Sequence, residues 1–232
     1  MKIGGFQGFS LVDYPGMVCA IIFTQGCNFR CHYCHNPELV ISERFSENIP
    51  IENIYDFLEK RKEKLDAVVI TGGEPTLQPD IIEVIKRIKK MGFLIKIDTN
   101  GSKPKVIKNI IRSGLVDYIA MDIKSPIDKY SKITRCYHIE NKITESINLI
   151  MNSEINYEFR TTDSNYLTIT DFHKIANLIK GAKAYFLQKQ SPIIKKVNSR
   201  GFFNLTKIND RAKLTKELAN DLMVYVEYCS LR

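Results

Sequence analysis

Short β-branched, apolar runs recur along this chain, and each is followed by a stretch in which apolar residues return every three or four positions. The first run, 18–24, is apolar on both faces, as a strand buried in a parallel sheet should be. Within 51–64, Ile54, Phe57 and Leu58 fall at helical spacing, with Leu65 beyond, and the apolar run 67–71 follows. That unit then repeats: helix 80–90, strand 93–99, helix 103–113, strand 116–122, helix 140–152, strand 157–161, helix 171–180 and strand 184–188. Six strands alternating with helices call for a parallel sheet with helical crossovers. Six units are too few to close an eight-stranded barrel. The expected fold is therefore α/β, an open, partial (β/α)6 barrel with its site at the C-terminal strand ends.

The flanks are less periodic. Residues 4–16 are turn-rich and predict a loop or short hairpin, and 191–204 is expected to be irregular. Leu214, Leu218, Leu222 and Val226, four apart, predict a closing C-terminal helix over 210–228. The whole chain, 1–232, reads as one domain, with a leader (1–16), a core (17–190) and an extension (191–232).

Composition alters this picture little. With 44% hydrophobic and 26% charged residues the chain is an ordinary globular one. A net charge of +8 would suit an anionic partner, but Lys86, Lys89, Lys90, Lys103, Lys105 and Lys108 are dispersed over predicted helix faces, as solvated surfaces are. Clustered cations with interleaved aromatics are missing, so a basic nucleic-acid binder with a structural metal loop is disfavoured. A basic-then-apolar leader and a membrane-length apolar run are also missing, and Cys19, Cys136 and Cys229 are isolated. The expectation is a reducing, cytoplasmic setting with neither membrane nor nucleic acid as partner.

The chemistry concentrates in Cys27-Asn28-Phe29-Arg30-Cys31-His32-Tyr33-Cys34-His35-Asn36, directly after the first strand. Three cysteines spaced C-x-x-x-C-x-x-C can converge on one inorganic cluster, leaving one iron of a four-iron cluster open to a small molecule. Zinc held by these cysteines with His32 or His35 is the competing reading, but a second ligand pair is not found downstream. Cys19, inside a strand, reads as a small buried hydrophobe. Met151, Phe172 and Phe186 read as core, and His138 and His173 as solvent-facing or capping residues.

Unusual residues also follow the other strands. After the second come Thr71-Gly72-Gly73-Glu74-Pro75, where two glycines permit close backbone approach and Glu74 offers an acceptor for an ammonium group. After the third come Asp98-Thr99-Asn100-Gly101, and after the fourth Asp122-Ile123-Lys124. These polar groups suit a ribose, a carboxylate or a monovalent cation. Arg160 ends the fifth strand and could pair bidentately with a carboxylate, and Gln188 ends the sixth.

Taken together, the cysteine loop with Tyr33 and the following His35-Asn36-Pro37-Glu38, the Gly-Gly-Glu-Pro turn, Asp98-Thr99-Asn100-Gly101 and Asp122-Ile123-Lys124 resemble the radical S-adenosylmethionine (SAM) superfamily, specifically its glycyl-radical-enzyme activases. The resemblance runs from about Gly4 to Gln190. The Gly4-Gly5-Phe6 and Asp13-Tyr14-Pro15-Gly16 leader is similar to the branch that activates anaerobic ribonucleoside-triphosphate reductase. It implies a four-iron, four-sulfur (4Fe–4S) cluster on Cys27, Cys31 and Cys34, with SAM on the fourth iron. One electron then cleaves the sulfonium, and a 5′-deoxyadenosyl radical takes hydrogen from a backbone glycine of the partner. It further implies that Tyr33 and His35 lie near adenine, that Gly72, Gly73 and Glu74 lie near the methionyl amine, and that Asp98, Thr99, Asn100, Asp122, Lys124, Arg160 and Gln188 lie near the rest of the cofactor. Many activases read Asp-Gly-Pro-Gly in the leader and carry a histidine near the position of Gln188. Without a cysteine-rich insert between Cys34 and Gly72, the expectation is one cluster and an external donor of flavodoxin or ferredoxin type. Enzymes of the 7-carboxy-7-deazaguanine synthase type share the Gly-Gly-Glu-Pro turn, but usually follow the last cysteine with Asp-Thr rather than His-Asn.

Overall fold

In the computed structural model, residues 1–164, 166–189 and 212–232 are described. Their strands form one eight-stranded sheet in strictly sequential order, β1 to β8. The six anticipated strands are β2 (Cys19–Thr24), β3 (Ala67–Gly72), β4 (Leu94–Thr99), β5 (Tyr118–Asp122), β6 (Asn156–Thr162) and β7 (Tyr185–Gln188). They pair parallel throughout, with Cys19 opposite Ala67, Ala67 opposite Leu94 and Phe159 opposite Tyr185. The crossovers are α1 (Ile51–Glu59), α2 (Ile81–Lys90), α3 (Pro104–Ser113), the short α4 (Tyr130–Thr134) with α5 (Glu140–Met151), and α6 (Ile169–Leu178). A right-handed crossover at each step curls such a sheet into a barrel wall.

Each flank extends the sheet. The leader forms a full edge strand, β1 (Ile3–Ser10), antiparallel to β2 with Ile3 opposite Thr24 and Ser10 opposite Cys19, so the anticipated hairpin is a long one. The closing helix is shorter than its periodicity predicts. Helix α7 spans only Lys216–Leu222, capped by the Thr215 side chain, and the chain then becomes β8 (Cys229–Leu231). Beyond Leu222 the backbone is drawn off its helical path by sheet bonds, Glu227 N donating to Ala182 O and Tyr185 N to Tyr228 O, each at 2.9 Å. Leu214 and Val226 pack on the core from outside the helix. The irregular segment expected over 191–204 lies outside the described residues.

Strand alternation divides the sheet's two faces. Ile22, Val68, Ile70, Ile95, Ile97, Ile119, Met121 and Phe159 face the helices and join Leu58, Ile85, Ile107, Ile147 and Phe172 in the main core. The opposite, inner face carries a small apolar plug of Tyr14, Cys19, Ile21, Ala67 and Val69 toward the strand starts, and charged residues beyond it. Cys19 and Phe172 are buried as expected, whereas Met151 and Phe186 are half-buried and the Arg232 guanidinium lies 3.6 Å over the Phe186 ring.

Candidate active site

The chain leaves β2 through Gln25 and Gly26, and Gly26 N donates to Leu39 O at 2.7 Å, so the segment between them closes on itself as the cysteine loop. The segments after two strands, β4 and β5, hold the loop. Arg30 N donates to Thr134 O after β5, the Tyr33 hydroxyl reaches Lys124 O at 3.4 Å, and Asn100 Nδ2, after β4, donates to Asn28 Oδ1 at 3.2 Å and lies 3.7 Å from Cys27 Sγ. Ser102 Oγ adds a second bond to Asn28. Cys27, Cys31 and Cys34 are free thiols. Burial pushes Cys27 and Cys31 up to about 12 and raises Cys34 as well. Thiolates are thus disfavoured until a cation joins them, the condition that a metal centre meets.

The loop forms one wall of a pocket of about 320 Å³, within the range of small-molecule sites. Around it stand Cys27, Cys31, Cys34, Tyr33 and the exposed His35, together with Gly72, Gly73 and Glu74 after β3. Asp98, Thr99 and Asn100 of β4, Asp122 and Lys124 of β5, Arg160 of β6 and Gln188 of β7 complete the ring, so every residue anticipated from the sequence lines this cavity. Sequence reasoning missed Asp13, Phe23, Phe29, Val40 and Thr162, which also line it. Asp13 carried a signal, its place in the leader motif, whereas the apolar three looked like any core residue.

The Gly-Gly-Glu turn lines the pocket and also packs against the protein's own backbone. The two glycines are required by the protein's own backbone: a Cβ on Gly72 would lie 2.3 Å from Thr24 N, and one on Gly73 2.1 Å from Gly26 O. Gly73 N and Glu74 N donate to Thr24 O and Gly26 O, both at 2.8 Å, so the turn docks against the root of the cysteine loop. Glu74, 1% exposed, takes three donors on Oε1, from Thr76 N, Thr76 Oγ1 and Thr99 Oγ1 at 2.5–3.1 Å. Among the described residues its Oε2 takes only Asn100 N, at 2.7 Å, and keeps acceptor capacity.

A ladder of charges crosses the inner wall. Lys96 Nζ bonds Asp98 at 2.5 Å, Arg160 bonds Asp98 at 3.1 Å and Asp122 at 2.8 Å, and Lys124 bonds Asp122 at 2.9 Å. Deeper, Glu158 takes Arg232 at 2.6 Å and the Tyr118 hydroxyl at 2.9 Å. Burial alone would raise both aspartates, but Arg160 outweighs it, helped by Lys96 at Asp98 and Lys124 at Asp122, and both fall below the usual carboxylate range. For Lys124, burial is outweighed by Asp122 and the ammonium is held above its ordinary value. Asp98 and Asp122 therefore offer a monovalent cation no unpaired carboxylate.

The donor set bears on the choice between a single ion and a cluster. Among the described residues, no three of His, Cys, Asp and Glu converge tightly enough to hold one ion, which speaks against tetrahedral zinc. His32, the alternative ligand, packs edge-on against Tyr33 and Tyr166. Three free thiols on one wall of the cavity suit a cuboidal cluster, in which each would take a separate iron.

The chain matches the Radical SAM superfamily over residues 21–179. A protein of Methanocaldococcus jannaschii that carries the provisional name of glycyl-radical enzyme activating enzyme is 38% identical over 199 residues, 82% of this chain and 80% of its own. The pyruvate formate-lyase-activating enzyme of Clostridium pasteurianum is 32% identical over 128 residues, 53% of this chain and 52% of that enzyme. Among solved structures, Streptococcus suis SuiB bound to S-adenosylmethionine shares the fold at a TM-score of 0.65 and 14% identity, over 91% of this chain and about half (48%) of SuiB. Among the described residues no helix is long and apolar enough to cross a membrane. Because the family match runs from β2 through α6 and the Methanocaldococcus relative is alike over four fifths of both chains, this chain belongs to the radical SAM superfamily, among its glycyl-radical enzyme activating enzymes.

Proposed function

We propose that this chain activates anaerobic ribonucleoside-triphosphate reductase, with Cys27, Cys31 and Cys34 each holding one iron of a 4Fe–4S cluster and SAM lying across the strand ends. The observation that carries the reading is the meeting of three free thiols with the polar ends of five strands around one pocket. When bound, the two groups supply one-electron cleavage of a sulfonium carbon–sulfur bond and a 5′-deoxyadenosyl radical that takes hydrogen from a glycine.

The chain's own part is orientation. Glu74 Oε2 would accept from the methionyl ammonium, and Thr76, Thr99 and Asn100 fix the carboxylate for that role. Lys124, held protonated beside Asp122 on the pocket wall, would offer the cofactor's carboxylate a fixed cation. Asn100 bridges the loop and the β4 end, donating toward Cys27 Sγ. Tyr33 and His35 border the place left for adenine, and the half-buried pocket limits water around a reactive carbon. The Asp-Tyr-Pro-Gly leader supports the reductase branch, and the three dispersed cysteines leave the electron to an external cytoplasmic donor.

The test is anaerobic reconstitution followed by incubation with SAM, a reductant and anaerobic ribonucleotide reductase. A glycyl-radical doublet on the reductase in electron paramagnetic resonance, rising with 5′-deoxyadenosine, is expected. A doublet on pyruvate formate-lyase and never on the reductase overturns the partner. A protein that takes up no cluster overturns the whole reading.

A further inference from the structure

Resting on the activase reading, we propose that the open edge of β1 takes an extended acidic segment of the glycine-bearing partner as an added strand, with the groove between β1 and α1 receiving its side chains.

The edge is open over most of its length. β1 ends the sheet and pairs only with β2. Its start is covered by the chain itself: Ile3 N donates to Asn48 Oδ1 at 2.7 Å, and Ile49 N to Ile3 O and Ser46 Oγ to Gly4 O, both at 3.0 Å. Over residues 5–9 the cover stops. Apart from the pairing with β2, the backbone there takes one bond among the described residues, from the exposed Gln7 side chain to Phe9 O at 2.8 Å. Edge strands are ordinarily protected by charge, proline or shortness. At the other edge β8 has only three residues, whereas Ile3–Ser10 has eight and neither a charge nor a proline. Its one protection is an irregular register on either side of residues 5–7.

Beside this edge lies a groove of about 630 Å³, with buried Leu65 and half-buried Phe57 on its floor and exposed Phe9, Arg61 and Lys64 on its rim. A Cβ on Gly8 would lie 2.6 Å from Phe57 Cζ, so the glycine lets the ring lie against the strand, where Phe6 meets it edge-on at 5.0 Å. Phe9, Leu11 and Val12 are 57%, 63% and 83% exposed, an apolar surface of the kind that marks contact sites. Charge names the occupant. Two cations and no carboxylate line the groove, and neither Arg61 nor Lys64 makes an ion pair among the described residues. Of the carboxylates nearest in sequence, Glu59 is taken by Lys62, Asp66 accepts from Val18 N, and Glu63 stays outside the groove. Edge-to-edge pairing of two copies would bring these cations toward their own kind, whereas an acidic strand satisfies them. An added strand draws affinity from main-chain bonds and specificity from alternate side chains, so the segment alternates apolar and acidic residues. None of the groove residues lines the pocket, and the groove lies toward the strand starts, where Ser10 is opposite Cys19. A second hold there keeps the partner tethered while its glycine loop enters and leaves the pocket.

The experiment uses the reconstituted protein with anaerobic ribonucleotide reductase as the probe. Calorimetry measures affinity at about 20 mM and about 300 mM salt, and hydrogen exchange follows the β1 amides. The wild type is expected to bind more weakly at high salt and to gain protection over residues 5–9 in the complex. Phe9→Lys, which puts a charge on the edge, and Arg61→Glu with Lys64→Glu, which reverse the groove, are each expected to lose about tenfold in affinity at low salt. Iron content, melting temperature and the 5′-deoxyadenosine formed with a short peptide carrying the reductase's glycine sequence should stay at wild-type levels. Wild-type affinity in these variants, or no added protection over β1, overturns the docking edge and leaves the activase reading standing. A wild type that is dimeric by light scattering and becomes monomeric with Phe9→Lys assigns the edge to a second copy and also overturns the proposal. A wild type that holds its cluster, yet neither binds the reductase nor forms a radical on it, overturns the partner reading and this proposal together.

Discussion

Gly73→Ala is expected to loosen the cysteine loop before it affects any ligand. Its Cβ would lie 2.1 Å from Gly26 O, 2.7 Å from Gly26 C and 3.0 Å from Leu39 O. All three are backbone atoms, so no side-chain rotation relieves them. Restoring ordinary contact requires turn and loop to part by roughly 1 Å or more. That stretches the bonds from Glu74 N to Gly26 O, at 2.8 Å, and from Gly26 N to Leu39 O, at 2.7 Å. Overpacking costs about 1–3 kcal/mol and each weakened bond about 1 kcal/mol, so the loss is about 3–5 kcal/mol. For a chain of this size the melting temperature should fall by roughly 10 °C or more. Gly92→Ala is the control, since Gly92 has φ of 98° with nothing within 4 Å, and only conformational strain of about 1–2 kcal/mol is expected there. Calorimetry on iron-free protein and iron bound per chain after reconstitution read the two effects. Gly73→Ala with wild-type melting and full iron, losing only SAM affinity, would refute the backbone argument and return the glycine to a ligand-clearing role.

Arg160→Met leaves Asp98 and Asp122 short of a buried partner and should cost about 3–5 kcal/mol at neutral pH in urea unfolding. Because both aspartates titrate below their unfolded values, their contribution is full above about pH 4 and is lost as pH falls through the depressed values, so the deficit of the variant should shrink on acidification. A deficit that is constant down to the acid transition would contradict the pairing. Thr99→Val removes one donor from Glu74 and is expected to cost about 1 kcal/mol and to weaken SAM binding, and unchanged affinity by calorimetry would show that the carboxylate is positioned without it. Alanine at Cys27, Cys31 or Cys34 should abolish iron uptake, whereas alanine at Cys19, Cys136 or Cys229 should leave it intact by iron analysis.

The six central strands were legible because a strand buried between helices and an inner wall must be apolar nearly throughout, and runs such as Val68-Val69-Ile70 leave little else to read. The site was legible because in this topology chemistry gathers at strand ends, so position along the chain stood in for position in space. What failed depended on partners remote in sequence. Glu158 looks like a solvent-facing residue of its strand until Arg232 is brought beside it, and Asp98 like a turn former until Arg160 reaches it from β6. The four-residue spacing of Leu214 to Val226 is a helix in isolation, but hydrogen bonds to Ala182 and Tyr185 claim its second half. At Gly72 and Gly73 a sequence shows that volume is forbidden, not whose volume it is.

The charge ladder on the inner wall has a consequence for how the pocket responds when charge moves within it. Lys96, Asp98, Arg160, Asp122 and Lys124 are clamped to one another at 2.5–3.1 Å, so none can swing to follow a new charge without releasing a neighbour. Water in their place would reorient and exact a reorganisation energy at each transfer. A wall of mutually held ions has its polarisation set by the fold beforehand, which makes this side of the barrel a stiff dielectric in which an electron can arrive with little rearrangement around it.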